Sequence, residues 1–334
     1  MNVRTIAVLL SALLSVSPIA AQDTPSAALL VLSKRDQTLA IVDPASLQVL
    51  TTLPAGPDPH EVVASTDGTM AFIANYGGGA YNTISVVNLT AQKALPRIDL
   101  GALRGPHGLA FVAGKVYFTA EINKVIGRYD PATEKIDWVL GTGQNRTHMI
   151  AVSSSLDHIF TSNVNSGTIS IIERTTERSE GHTPDWDETV VDTGPGTEGF
   201  DISPDGKELW SAAAEDGTIS IINVGAKKRV QTLQADVKGA NRLKFTPDGK
   251  LVFVSSLSGG GGLAVFEASS RREVKRVNVG HGAAGILMQP DGLRAYVACS
   301  PDNYVVAIDL KTLEITGRIN AGHQPDGLAW AVRQ

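Results

Sequence analysis

The stretch STDGTMAFIAN, residues 65–75, contains the pattern that predicts the fold. An Asp-Gly turn is followed at once by a mostly apolar run, a combination that favours a tight hairpin leading into a β-strand. The same pattern recurs as SPDGKELWSAA at 203–213, TPDGKLVFVSS at 246–256 and QPDGLRAYVAC at 289–299. A second strand-like segment follows each copy, for example NTISVVNL or GTISIINV. Internal repeats of this kind predict an all-β architecture built from one repeated unit.

One position of the repeat lies where the first strand of each unit begins, a few residues after a glycine. It is occupied in turn by His60, His107, His148, Glu198, Asn241, Ala284 and Asp326. Successive positions are 41 to 50 residues apart, which is the length of a four-stranded propeller blade. The last unit lacks its other strands, and residues 29–53 supply them. We therefore expect one seven-bladed β-propeller domain over residues 22–334, whose N-terminal strands complete the C-terminal blade and close the ring.

The first residues of the chain have the features of a secretory signal peptide. Arg4 precedes an apolar stretch at 6–16, and the small residues Ala20 and Ala21 follow it. A permanent membrane anchor is the alternative, but it needs about 18 or more unbroken apolar residues, and serines and a proline interrupt this run. We predict a signal peptide at 1–21 and export to the periplasm or the medium, without membrane association after cleavage.

Charge and cysteine content limit the possible partners. The chain has 29 basic and 34 acidic residues, a formal net charge of −5, so no basic surface is expected to neutralise a nucleic-acid backbone. The single cysteine, Cys299, cannot form an internal disulfide, and we expect it to be buried. The expected partner is a small molecule, or a protein or peptide, bound by a monomer at the mouth of the central channel.

The repeat resembles that of the YVTN-repeat propellers, the YncE-like family. The four-letter signature of that family stands here as FIAN at 72–75, YFTA at 117–120, IFTS at 159–162, LWSA at 209–212, FVSS at 253–256 and YVAC at 296–299. The resemblance covers nearly the whole chain after the signal peptide and implies the propeller fold. It implies little about activity, because propellers support unrelated functions.

Two shorter stretches resemble enzymes of the same architecture. The segment FIANYGGGAYNTISVV at 72–87 is similar to the Asn-Tyr-Gly-Gly-Gly segment of the seven-bladed propeller lactonases. The segment at 106–136, which contains VYFTAEINKVIGRYD, resembles a repeat of the streptogramin lyase group, which uses histidine, glutamate and a divalent metal. Each match covers about one blade of seven, so the two resemblances suggest a chemistry without indicating a substrate.

The residues at the strand starts predict a site at one mouth of the channel. Four consecutive blades present His60, His107, His148 and Glu198 toward one axis, and three imidazoles with a carboxylate can hold zinc, manganese, iron or copper. The same rim also carries His281, His323, Arg146 and Arg242. The alternative is a structural lining, because polar side chains also satisfy backbone groups in turns.

Two functions follow from this pattern. The first is an exported binding module of YncE type that holds a ligand or metal at the channel mouth. The second is a metal-dependent lactonase or lyase acting on a small ester or lactone. In the enzyme, Glu198 would be a ligand or general base, and Arg146 or Arg242 would steady an anionic group of the substrate. A metal found in the purified protein would favour the second hypothesis.

Overall fold

The structure, a computed structural model, describes residues 25–175, 185–258 and 262–333. Seven four-stranded antiparallel sheets are present in these ranges, arranged as the blades of a ring, which confirms the predicted seven-bladed β-propeller. The predicted signal peptide at 1–21 lies outside the described residues. Within the described part of the chain, no helix is both long and apolar enough to span a membrane.

The strands follow one another along the chain, four to a blade, with the first blade shared between the two ends. The N-terminal strands are β1 (Ala27–Ser33), β2 (Thr38–Asp43) and β3 (Gln48–Pro54). Blade 2 has β4 (Pro59–Ala64), β5 (Met70–Asn75), β6 (Thr83–Asn88) and β7 (Lys93–Asp99). Blade 3 has β8 (Pro106–Val112), β9 (Lys115–Ala120), β10 (Val125–Asp130) and β11 (Lys135–Gly141). Blade 4 has β12 (Thr147–Val152), β13 (His158–Asn163), β14 (Thr168–Arg174) and β15 (Trp186–Asp192).

The remaining blades repeat this order. Blade 5 has β16 (Thr197–Ile202), β17 (Glu208–Ala213), β18 (Ile219–Asn223) and β19 (Lys228–Leu233). Blade 6 has β20 (Ala240–Phe245), β21 (Leu251–Ser256), β22 (Gly262–Glu267) and β23 (Arg272–Asn278). Blade 7 has β24 (Ala283–Met288), β25 (Arg294–Cys299), β26 (Tyr304–Asp309) and β27 (Ile315–Ile319), and β28 (Pro325–Val332) ends the chain. One-turn 3-10 helices occur at Gly77–Gly79 and Glu121–Asn123.

The two ends of the chain form blade 1 together. Strand β28 is innermost and pairs antiparallel with β1, with Ala28 opposite Ala331, and β2 and β3 complete the sheet. The predicted ring closure by N-terminal strands is therefore confirmed. Because the last strand is hydrogen-bonded to the first, the ring has no open break between blades 7 and 2.

The core consists of apolar clusters between neighbouring blades. The middle strands are buried almost continuously, as in β5 and β17, because each sheet is covered on both faces by the adjacent blades. One cluster joins blades 5 and 6 through Trp210, Ile221 and Phe245. Outer strands such as β11 alternate between exposed and half-buried residues. Cys299 is fully buried in the cluster between blades 6 and 7, as predicted.

Every innermost strand contains a β-bulge near its start. In blade 2, Pro59 pairs with Asn75 and Val62 with Ile73, so the inner strand has one residue more than its partner. The same irregularity occurs in the other six blades. A bulge bends the strand and redirects its side chains. In blades 4 and 5 the residues equivalent to FIAN begin at Phe160 and Trp210, one residue later than the sequence comparison indicated.

Candidate metal centre

The predicted site residues meet at one mouth of the channel. Each is the second residue of an innermost strand, and the shared position brings all seven to one level of the ring: His60, His107, His148, Glu198, Asn241, Ala284 and Asp326. They line a cavity of about 200 Å³. Arg146 and Arg242 also line it, whereas His281 and His323 lie on exposed loops, where they contact Asp302 and Asp36.

A second repeated position also contributes to the mouth. The residue immediately after each four-letter segment lies beside the start of the innermost strand, and in four blades it faces this site: Lys34, Tyr76, Glu121 and Leu257. Glu121 was absent from the set predicted from the sequence. The sequence did contain a feature that could have identified Glu121 as a site residue, because it follows YFTA directly in the segment that resembles the lyase repeat.

Hydroxyl groups of the second strands hold the bulges in place. Thr119 Oγ1 accepts a hydrogen bond from the backbone N–H of Gly108 at 2.9 Å and donates one to the carbonyl of His148 in the next blade at 2.8 Å. Ser162 makes the corresponding bonds, to Met149 N at 3.2 Å and to the carbonyl of Glu198 at 2.7 Å. Where the third letter of the signature is Thr or Ser, its hydroxyl therefore fixes the backbone of the next blade's site residue.

The three predicted histidines form a row of adjacent rings. The ring centroids of His60 and His107 are 5.1 Å apart, and those of His107 and His148 are 3.7 Å apart with a tilt of 34°. Tyr76 lies 5.0 Å from His60 and 5.1 Å from His107, edge-on to both. Blades 2, 3 and 4 thus place the three imidazoles side by side at the channel mouth.

His148 lies between two carboxylates. Its Nδ1 donates a short hydrogen bond to Glu121 Oε1, and its Nε2 is 3.3 Å from Glu198 Oε1 without hydrogen-bond geometry. Burial opposes a charge on this ring, but the two carboxylates outweigh burial and raise the pKa of His148. Burial likewise opposes ionisation of Glu198, yet His148 and the two arginines lower its pKa to about 2. Glu198 is therefore an anion at neutral pH.

His107 is in the opposite state. It is buried, and burial lowers its pKa well below the usual value, with the nearby charge of His148 adding to the effect. A neutral imidazole has one nitrogen free to accept a hydrogen bond or bind a metal. In the described part of the chain, His107 Nδ1 has no hydrogen-bond partner, and neither has His148 Nε2. Buried polar atoms without partners are rare, and these two nitrogens are free to bind an ion or a ligand.

Glu121 completes a group that could hold a metal ion. One ligand atom from each of His107, Glu121 and His148 lies within 4.8 Å of the others, and all three residues are buried. Glu121 also accepts a hydrogen bond from the Tyr76 hydroxyl at 2.6 Å. Burial and this carboxylate raise the pKa of Tyr76 to about 12, so the hydroxyl stays protonated. Two imidazoles and a carboxylate suit zinc, iron or manganese.

The other predicted residues surround this group. His60 Nε2 is 3.2 Å from Asp58 Oδ1, and its Nδ1 is 3.5 Å from Asp326 Oδ2. Arg242 forms a short ion pair with Glu61 on the far side of the channel, joining blades 6 and 2. Glu61 follows His60 in the sequence, so the neighbouring His and Glu of PDPHEVVAS serve two different contacts: His60 faces the site, and Glu61 neutralises a buried arginine.

Comparisons with known proteins show the fold. No protein-family model matches the chain, and no curated protein sequence matches it significantly. A putative 6-phosphogluconolactonase from Bacteroides uniformis is 15% identical with a TM-score of 0.74, over 91% of this chain and 99% of that one. Hydrazine synthase of Kuenenia stuttgartiensis is 16% identical with a TM-score of 0.66, over 81% of this chain and 89% of that one. A protein of unknown function from Desulfotomaculum acetoxidans is 11% identical with a TM-score of 0.75, over 92% and 99%.

Proposed function

We propose that this propeller binds a divalent metal ion at its channel mouth through His107, His148 and Glu121, and that the ion and the surrounding side chains hold a small molecule there. The observation that carries the proposal is the pair of buried ring nitrogens, His107 Nδ1 and His148 Nε2, that lack partners. An unsatisfied buried polar group costs about 1–3 kcal/mol, and coordination would remove that cost. The proposal includes the expected export of the chain and its action as a monomer.

The charges at the mouth support a divalent ion. The described residues place five carboxylates around the cavity: Asp58, Glu61, Glu121, Glu198 and Asp326. Three side chains with a permanent positive charge lie among these carboxylates: Lys34, Arg146 and Arg242. The site therefore has two more carboxylates than fixed cations. In the metal-free protein the proton on His148 offsets one of these charges. A divalent cation that displaces this proton would balance the whole excess.

Metal analysis of the purified protein tests the proposal. We expect bound metal, and we expect zinc, manganese, iron or copper to raise the unfolding temperature of the metal-stripped protein, because an ion that binds only the folded state stabilises it. The variants His107→Ala, His148→Ala and Glu121→Gln should lose both effects. His281→Ala is the matched control, since this histidine lies on the exposed rim and should leave metal binding intact. No response to any of the four metals would leave the cluster as structural lining.

A second candidate function is metal-dependent opening of a lactone or elimination from a small ester. The observation in its favour is the chain of hydrogen-bonding groups Tyr76–Glu121–His148, which joins a neutral hydroxyl, a carboxylate and an imidazole. A bound divalent ion would supply carbonyl polarisation. His148 would act here as a ligand of the ion, and Glu198, with a pKa of about 2, is too weak a base for the role considered from the sequence.

A lactone-hydrolysis assay followed by pH-stat tests this second function. The putative 6-phosphogluconolactonases with the same fold make lactones the first substrates to try, although their likeness shows the fold alone. We expect His148→Gln to abolish turnover, while His323→Gln on the exposed rim should retain it. Metal binding without hydrolysis of any lactone or ester tested would favour the binding module.

A further inference from the structure

The residue that precedes each innermost strand has a left-handed backbone conformation. In four blades this residue is a glycine: Gly105, Gly196, Gly239 and Gly282. In the other three blades it carries a side chain, namely Asp58 with φ 44°, Arg146 with φ 55° and Gln324 with φ 55°. Glycine adopts this conformation without strain, but other residues do so at an energetic cost. Of the three side chains, that of Arg146 lines the cavity, whereas that of Gln324 does not.

Arg146 is the cation at this mouth without a close carboxylate partner among the described residues. Its Nε is 3.5 Å from Glu121 Oε2 and its Nη2 is 3.6 Å from Glu198 Oε1, both too long for strong hydrogen bonds. The other two cations are committed, since Lys34 pairs with Asp326 at 3.0 Å and Arg242 pairs closely with Glu61. The side chain of Arg146 is 34% exposed, so a ligand in the cavity can reach it.

We propose that Arg146 binds the carboxylate group of a small organic anion, and that the metal ion makes it available to do so. This inference rests on the proposed metal site. In the metal-free protein, Glu121 and Glu198 compensate the charge of Arg146. An ion coordinated by Glu121 takes over that carboxylate, so that Arg146 keeps only its contact of 3.6 Å with Glu198 and its guanidinium becomes available to an incoming anion. Metal and anion should therefore strengthen each other's binding, because such coupling is reciprocal.

The charge distribution favours a carboxylate over a phosphate. A planar guanidinium matches a carboxylate with two parallel hydrogen bonds. One uncommitted arginine supplies one positive charge, which balances a monoanion. A phosphate dianion would instead meet Glu198, Asp58 and Asp326 around the same cavity, with no further free cation among the described residues. The volume of about 200 Å³ limits the ligand to a small molecule.

Unfolding temperatures measured with acetate test this inference. We expect acetate to stabilise the metal-loaded protein saturably and to bind about fivefold or more tightly with metal than without it. Acetamide, the uncharged analogue, should have no effect, and inorganic phosphate at equal ionic strength should bind more weakly than acetate. Arg146→Gly should remove the acetate effect while the protein still unfolds cooperatively, because glycine adopts the left-handed conformation without strain.

Gln324→Gly is the matched control, because it makes the same backbone change in blade 1 at a residue that does not line the cavity. It should retain the full acetate response. If metal stabilises the protein but acetate does not, or if Arg146→Gly still responds to acetate, the inference is wrong and the metal site stands. If no metal binds, the proposed function fails, and the coupling fails with it.

Discussion

At the scale of single residues, His107 and His148 occupy equivalent positions but differ in protonation. Their ring centroids are 3.7 Å apart, so two positive charges would repel strongly. The carboxylates of Glu121 and Glu198 stabilise the charge on His148, and burial keeps His107 neutral. Neighbouring groups with pKa values moved in opposite directions are typical of functional sites. The pair thus offers one ring ready to coordinate and one that must first lose a proton.

This difference predicts that metal affinity rises with pH. Below the raised pKa of His148 a proton competes with the ion, and as the pH rises through that pKa the competition ends. We expect calorimetric titration at pH 6 in two buffers of different protonation enthalpy to show about one proton released per ion, and tighter binding at pH 8. In Glu198→Gln the change should occur at lower pH, because one of the two carboxylates that raise the pKa of His148 is gone. Equal affinity at pH 6 and 8 would contradict this assignment.

At the scale of elements, the Asp-Gly turn explains how blades 2, 5, 6 and 7 start their second strands. Ser203 Oγ donates to Asp205 Oδ1 at 2.7 Å, and the backbone N–H of Lys207 donates to the same oxygen at 3.1 Å. Thr246 and Asp248 repeat this arrangement in the next blade, at 2.7 Å. These hydrogen bonds lower the pKa of Asp205 and of Asp248 to about 2. The repeat therefore favours a side-chain donor two residues before the aspartate, and in blade 7 this donor is Gln289, whose Nε2 donates to Asp291 Oδ2 at 2.6 Å.

The lowered pKa values predict a loss of stability in acid. A carboxyl with a depressed pKa in the folded state contributes its stabilisation above its unfolded pKa and loses it as the pH falls. We expect the free energy of unfolding to decrease between about pH 4 and pH 2, and the variant with both Asp205→Asn and Asp248→Asn to show a smaller decrease. Urea unfolding across this range measures it. Asp187→Asn, at an exposed position of β15, is the control. If the double variant loses as much stability in acid as the native chain, these two aspartates do not cause the loss.

The hydroxyls of the signature predict a second effect at this scale. Thr119→Val removes the bonds that fix Gly108 and His148, and Ser255→Ala removes the equivalent bonds to Arg242 N and the Ala284 carbonyl, at 3.0 and 2.7 Å. Each change should lower the free energy of unfolding by about 1–3 kcal/mol, because buried backbone groups lose a partner. Thr119→Val should also weaken metal binding, whereas Ser255→Ala should leave it nearly unchanged. Equal metal affinity in both variants would show that the bond does not position His148.

At the scale of the whole molecule, stability depends on closing the ring. Blade 1 joins β28 to β1–β3, and its apolar residues pack against blade 2 on one side and blade 7 on the other. Across the channel, Arg242 and Glu61 link blades 6 and 2. The single cysteine rules out an internal disulfide, so packing and strand pairing must hold the ends together.

Deletion of residues 27–53 should therefore prevent folding. Without β1, β2 and most of β3, the inner strand β28 has no partner in its blade, and the apolar faces of blades 2 and 7 lose their cover. We expect an insoluble chain, or one without a cooperative thermal transition by circular dichroism. A soluble truncated chain that melts as sharply as the native protein would show that the ring does not need this closure.

Much of the fold could be predicted because a repeat encodes local structure. The Asp-Gly turns and alternating apolar residues of SPDGKELWSAA are satisfied within one blade, so a periodic sequence indicates both the strands and their number. The bulged start of each inner strand has a constant place in the repeat. The repeat by itself therefore assigns His60, His107, His148 and Glu198 to one mouth of the channel.

The contacts within the site depended on the tertiary structure. Glu121 reaches His148 from another blade, and Arg242 finds Glu61 across the ring, 181 residues away. A repeat shows which positions are equivalent but not how side chains of different blades turn toward one another, since that depends on the curvature of the ring and on burial. The sequence alone therefore determined the propeller fold and the set of repeat positions that line one mouth of its central channel. The close packing of seven blades decided that His107, His148 and Glu121 form the group that could hold an ion.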